Sequence, residues 1–181
     1  MARKFTQLKC RLMPYLYGAM MEAHEHGTPM MRPMLLEFPE DPACETLDRQ
    51  YMLGGSLLVA PIFRKDGSVD YYLPEGRWTN LITGEGKDGG RWTRETHDFM
   101  SLPLMVRPGT VLPMGARDDR PDYDYADGVE LHVFQLAEGE SREVKLYDLK
   151  GNVAAPFSLS RAAGKLSVRT DSDKPYRVVE H

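Results

Sequence analysis

The side chains best equipped for chemistry lie in four places. Residues 115–128 hold five aspartates, Asp118, Asp119, Asp122, Asp124 and Asp127. Clustered carboxylates can hold a hard cation such as calcium. An EF-hand loop, however, needs oxygen ligands at alternate positions and a closing glutamate, and this spacing does not match it. His24 and His26 stand two apart. On a helix they point in different directions and cannot share a metal, so a solvated helix end suits them better. Trp78, Trp92, Tyr71, Tyr72 and Tyr125 could supply a platform on which a sugar stacks. The competing reading is core packing, because aromatics on alternating strands usually face inward. Arg32 interrupts an apolar run. A buried arginine needs a carboxylate, and Asp48 is the nearest in sequence that could return to it. An Arg32–Asp48 ion pair is the expectation, with a surface-reaching Arg32 as the alternative. None of these patterns assigns a catalytic, cofactor-binding or metal-ligating residue.

The chain has 181 residues, enough for one domain of moderate size or two small ones. A hydrophobic content of 41% and a charged content of 28% are ordinary for a globular protein. The net charge of -4 argues against a nucleic-acid partner, which wants a basic face. No apolar run approaches the ~18–20 residues that span a bilayer, so no membrane partner is expected. Two cysteines, Cys10 and Cys44, are too few for a disulfide framework. They favour a reducing compartment or two buried free thiols, and the expected location is cytoplasmic. The basic start Met1-Ala2-Arg3-Lys4 lacks a following apolar stretch and does not read as a signal peptide. In a fragment, such a start says nothing about targeting of the parent.

The elements that would carry these side chains begin with a helix over residues 6–26. Leu8, Leu12, Leu16, Met20 and Ala23 give it a broad apolar face. Pro14 predicts a kink or a restart, and Gly27 a left-handed stop. Residues 30–38 are almost continuously apolar, as in a parallel strand buried on both faces, although Pro29 and Pro33 cannot donate to a ladder. Asp41-Pro42 starts a helix expected to run to about Leu53. Residues 57–63 read as another buried strand. From there the period is two, with turns at Asp66-Gly67, Pro74-Glu75-Gly76 and Pro108-Gly109. Strands are expected at 69–73, 78–82, 91–96, 102–107 and 110–114, with a mobile glycine-rich loop over 83–90. After the acidic stretch, about five more strands follow at 130–136, 143–148, 153–159, 165–170 and 175–179. Short strands at this spacing imply sandwiches or barrels.

The front half resembles the C-terminal part of glycoside hydrolase family 31. The motifs, in order, are Arg11-Leu12 with Pro14-Tyr15-Leu16-Tyr17; Gly27-Thr28-Pro29-Met30-Met31-Arg32-Pro33; Phe38-Pro39-Glu40-Asp41; Asp48-Arg49-Gln50-Tyr51-Met52-Leu53-Gly54; Leu58-Val59-Ala60-Pro61; and Tyr72-Leu73-Pro74-Glu75-Gly76-Arg77-Trp78. A hairpin from Leu102-Pro103 to Pro113 also matches. Leu8-Lys9-Cys10-Arg11-Leu12-Met13, Asp41-Pro42-Ala43-Cys44 and Arg120-Pro121-Asp122-Tyr123 look most like the bacterial α-xylosidase branch.

The resemblance implies a mainly β chain, with two antiparallel sandwich-type units preceded by an α/β segment from the end of a (β/α)8 barrel. Residues 1–55 would be the barrel's last helices and final strand. Residues 56–115 would be a proximal sandwich and 116–181 a distal one. The implied activity is that of a retaining α-glycosidase, α-xylosidase-like, removing terminal α-linked sugars without a cofactor. Such chemistry uses two carboxyl groups about 5–5.5 Å apart. In this family both are aspartates on earlier barrel strands, and the active-site histidine and arginine also lie upstream. Asp98-Phe99-Met100 is the nearest string to the nucleophile motif, but it falls in the sandwich and is not assigned. The catalytic set in this chain is therefore expected to be empty, and the isolated chain inactive. Its partners would be the catalytic barrel and N-terminal domain of the parent, with carbohydrate reached through them; a homo-oligomeric parent stays open. The alternative is a non-catalytic carbohydrate-binding or structural β-sandwich module. Without the other barrel strands to bury their apolar faces, residues 6–55 should be loosely held, or held by the sandwich. Exposed Leu12, Leu16, Met20 and Met34 would mark a missing partner surface.

Overall fold

A computed structural model describes residues 1–181. The chain divides into two compact units, one made of Met1–Gly27 with Gly109–His181 and the other of Thr28–Pro108. The boundaries expected at 55/56 and 115/116 are not where the contacts divide.

Helix α1 (Ala2–Arg11) ends at Leu12, and α2 (Met13–His26) begins one residue later. Pro14 therefore sits in the first turn of a new helix, where its missing N–H leaves no bond unmade. Gly27 closes α2 at φ 73°, donating its N–H to the Ala23 carbonyl.

The Thr28–Pro108 unit comprises β1 (Met31–Arg32), the single turn α3 (Met34–Glu37), a 3-10 turn (Pro42–Cys44), β2 (Tyr51–Leu53), β3 (Leu57–Val59), β4 (Ser68–Leu73), β5 (Arg77–Asn80), β6 (Gly86–Asp88), β7 (Arg91–Thr96) and β8 (Leu104–Val106). Six strands form one sheet in the order β1-β2-β3-β8-β5-β6, and β4 pairs with β7 in a second. Every pair in both sheets is antiparallel. Met34, Met52, Leu58, Tyr71, Trp78 and Met105 form its core.

This corrects several sequence expectations. The strand expected over 30–38 shrinks to two residues, because prolines at 29 and 33 flank it and cannot donate to a ladder. Pro33, at φ −60° and ψ 150°, turns the chain into α3. The helix expected from Asp41 to Leu53 is only the 3-10 turn, although Asp41 does cap it by accepting from Ala43 N–H at 3.0 Å. Tyr51–Leu53 is instead a strand between β1 and β3. A barrel end is thus not what residues 28–59 build; they form an antiparallel meander at one sheet edge. β3 stops at Val59, and Phe63 is 73% exposed. The loop over 83–90 contains β6, paired with β5.

The other unit adds β9 (Thr110–Met114), β10 (Val129–Phe134), β11 (Ser141–Tyr147), β12 (Val153–Ala162), β13 (Lys165–Thr170) and β14 (Tyr176–Glu180). Its sheets run β14-β10-β9 and β11-β12-β13. β10 and β14 are parallel, a departure from the antiparallel expectation. Leu131, Val133, Leu146, Ala155, Phe157 and Leu159 meet in its core. Helix α2 packs on β9 and β11, burying Pro14 and Ala19. The N-terminal helices are therefore held by the sandwich. Tyr123 Oη donates to the Cys10 carbonyl at 2.7 Å, and a Cβ at Gly115 would fall 1.8 Å from that oxygen. Glycine is required there by close approach. Leu12 and Met34 are buried and Leu16 half-buried, while Met20 is exposed, so the four do not form one bare surface.

Candidate functional site

Three of the five aspartates in the acidic stretch, Asp119, Asp122 and Asp124, are held in ion pairs. Arg117 forks onto Asp119 at 2.9 and 2.6 Å, Arg120 onto Asp122 at 2.9 and 2.8 Å, and Lys174 reaches Asp124 at 2.5 Å. No three His, Cys, Asp or Glu side chains are placed so that they could hold a metal ion together. His26 lies exposed beside Glu25 at 3.9 Å. Asp98 caps its own loop, accepting from Met100 N–H at 2.8 Å.

Arg32 is 4% exposed, so it does not reach the surface. Its partner is Glu37, at 2.6 Å, and not Asp48. Arg32 Nε also donates to the Pro29 carbonyl at 2.9 Å, and Arg107 holds the second Glu37 oxygen at 3.1 Å. The expected pair fails because α3 carries Glu37 back over Arg32 within one turn. Asp48 is 90% exposed beside Arg49.

Of the five aromatic candidates, Trp78, Tyr71, Tyr72 and Tyr125 are buried. Trp78 Nε1 donates to the Pro74 carbonyl at 2.8 Å. Burial, and then the Asp41 carboxylate that accepts its proton at 3.0 Å, push the Tyr72 phenol up to about 12. Trp92 is different: it is 60% exposed. Its ring leans on Tyr72, its cross-strand neighbour, at 5.9 Å and 59°. Core packing therefore holds for Trp78 and not for Trp92. Trp92 lines a cavity of about 350 Å³ with Asp48, Arg49, Phe63, Arg64 and Asp70. Gln50 forms part of the wall and is rigid, since its amide donates to the Tyr72 carbonyl and accepts from Tyr72 N–H, both at 2.7 Å.

A second cluster escaped the sequence reading. Glu95 contacts Lys87 and meets His97 Nε2 at 2.7 Å, and His97 Nδ1 meets Ser101 Oγ at 2.9 Å. The carboxylate only accepts, so His97 Nε2 carries a proton, and Ser101 Oγ also donates to Asp98 Oδ1 at 3.3 Å. The order resembles a nucleophile, base and orienting acid. Here Glu95 is also bound to lysine, and the chain of bonds ties residues 97–101 to the end of β7. Its sequence signal was the i, i+2 spacing of Glu95, near the end of β7, and His97, just past that end.

In the other unit, His132 Nδ1 and His181 Nε2 lie 2.8 Å apart, and Phe134 stacks on His181 at 4.3 Å. Burial lowers the pKa of both imidazoles; His181 adds to the effect on His132, while Glu130 opposes it. A histidine shifted down binds fewer protons folded than unfolded. Stability from this pair is then complete above about pH 6.5 and declines as pH falls below it. Urea midpoints measured from pH 7.5 to 5 should drop on the acid side, and His132→Asn should flatten that slope. An equally steep slope in the variant would remove the histidines from the account.

Residues 27–112 match the glycosyl hydrolase family 31 C-terminal domain, and residues 124–181 match the C-terminal domain of alpha-xylosidase YicI. An alpha-xylosidase of Emericella nidulans is 43% identical over 139 residues, covering 72% of this chain and 18% of that protein. Alpha-xylosidase XylQ of Lactiplantibacillus pentosus is 36% identical over 172 residues, covering 93% of this chain and 22% of that protein. The crystal structure of a family 31 alpha-xylosidase from Xanthomonas citri superposes with a TM-score of 0.78 at 25% identity, covering 96% of this chain and 21% of that one. The chain thus spans about a fifth of the length of these relatives.

Proposed function

The chain belongs to glycoside hydrolase family 31, and from that premise we propose that it serves as the C-terminal β-domain region of a retaining α-glycosidase of the α-xylosidase type. The whole enzyme would hydrolyse terminal α-linked sugars. The observation that carries this is the unbroken order of matches, 27–112 and then 124–181, to two C-terminal domain families of such enzymes. The two carboxyl groups needed for retention would come from a catalytic barrel elsewhere in a longer polypeptide, supported there together with an N-terminal domain. The better-buried carboxylates in this chain are already committed: Glu37 to Arg32 and Arg107, Glu95 to Lys87 and His97, Glu130 to Arg11 and Arg177. The unpaired thiols Cys10 and Cys44 support a cytoplasmic location. Burial pushes the Cys44 thiol up to about 11, which leaves it unreactive near neutral pH.

The test is an assay of the purified 181-residue chain on an aryl α-xyloside, beside a longer protein that carries the barrel. The chain alone should give no turnover, and the longer protein should cleave the substrate. Turnover by the chain alone would contradict the proposal, as would a longer protein inert toward every aryl α-glycoside offered. A non-catalytic carbohydrate-binding role is the second reading, favoured by the exposed Trp92.

A further inference from the structure

The cavity beside Trp92 plays no part in hydrolysis as proposed above. We infer that it is a binding site for a neutral oligosaccharide, separate from catalysis, in which the Trp92 indole stacks on a sugar face while Arg49 and Asp48 bond to hydroxyls. The choice of a saccharide rests on the family 31 reading; the existence and character of the site rest on the following geometry.

Trp92 keeps 60% of its surface in water, whereas Trp78 is fully sealed. Its orientation is held from behind by Tyr72 and along β7 by the ladder to β4. A flat apolar face that is exposed and already immobilised loses little entropy on stacking. Phe63, 73% exposed, offers a second apolar surface to the same cavity. The volume of about 350 Å³ lies in the range of small-molecule sites, ~300–1,000 Å³.

The charged lining selects for neutrality. Arg64 is paired with Asp66 at 3.2 Å, and Asp70 is gripped by Arg94 at 2.5 and 3.0 Å. Asp48 and Arg49 are the exception. Their closest approach is 4.0 Å, beyond hydrogen-bond reach, and both are largely exposed. A guanidinium that only donates and a carboxylate that only accepts, set side by side, match adjacent hydroxyls, each of which does both. An anionic ligand would meet Asp48 and a cationic one Arg49, so neither sign is favoured. A second attachment point of this kind would raise the effective concentration of a polymeric substrate near the rest of the enzyme.

The experiment uses the full chain with isomaltotriose and a xylose-bearing glucan oligosaccharide. Only Trp92 should answer iodide, because Trp78 is 0% exposed. Sugar should protect the fluorescence from iodide and shift it to the blue, saturably. Calorimetry should show Trp92→Ala binding about tenfold more weakly or worse. Arg49→Ala keeps the reporter and should bind about fivefold more weakly. Both positions are on the surface, and circular dichroism checks that the variants fold. Absence of saturable binding, or unchanged affinity in Trp92→Ala, would overturn the site. So would a Trp92 already shielded from iodide in the longer protein without sugar, since another part of the polypeptide would then fill the cavity. Turnover on aryl α-xyloside is scored separately. Turnover by the longer protein without saturable binding by this chain sinks the site alone; saturable binding by this chain with a longer protein that gives no turnover sinks the catalytic reading alone.

Discussion

Arg32→Ala should destabilise the chain by about 3 kcal/mol, the low end of the ~3–5 kcal/mol seen when one member of a buried ion pair is removed. Arg32 and Glu37 retain only 5% and 14% of their side-chain exposure, so the stranded carboxylate cannot recover its hydration. Two features set where in the range the loss falls. Arg107 still holds one Glu37 oxygen at 3.1 Å, which softens it. The Pro29 carbonyl loses its donor from Arg32 Nε, which deepens it. The Arg32 and Glu37 substitutions should not add, because they act on one contact. Asp48→Ala, by contrast, should fall within about half a kcal/mol of the parent chain, as exposed sites do. Urea unfolding of the parent chain, the two single variants, their double variant and Asp48→Ala would decide the matter; additive losses, or a costly Asp48→Ala, would return the pair to Asp48.

Glu95→Ala should cost about 3–5 kcal/mol by the same mechanism with more groups stranded. Glu95 is 14% exposed and satisfies Lys87 and His97, which are 26% and 10% exposed. Tyr71 Oη lies buried near it, and burial, with Glu95 second, raises that phenol above its usual range. Burial alone would raise the Glu95 pKa. The bonds from Lys87 and His97 outweigh it and hold the carboxyl below the usual range. A depressed carboxyl contributes its stability above the unfolded value of about 4.3 and loses it as pH falls through the folded one. Glu95→Gln keeps the shape and should flatten the acid limb of the stability curve while costing less at pH 7. A substitution that cost under about half a kcal/mol would mean that the lysine and histidine find other partners.

How much of this was legible beforehand depends on how local each feature is. The helix restart at Pro14 was readable because a proline without an N–H is tolerated only in a first turn. The helix stop at Gly27 was readable because φ 73° suits glycine. The five strands from 130 onward were readable because alternation of period two survives when one face is buried and the other wet. Residues 28–59 were misread where these signals vanish. Strands of two or three residues have too little period to count, and β1 to β3 exist because neighbouring strands pair with them. The aspartate and proline at 41 and 42 did start a helical turn, but pairing with β1 and β3 claimed Tyr51–Leu53 for the sheet.

The same division separates the family from the site. The order of the motifs along the chain sufficed to place it in family 31, because a motif string records which backbone turns and packing positions recur, and that information is linear. Which carboxylate neutralises Arg32, which of two tryptophans faces water, and that Glu95, His97 and Ser101 join are properties of distance. Each depends on where a turn or a cross-strand register brings a side chain, and a shift of one residue reverses a strand's faces. Only the folded chain decides them.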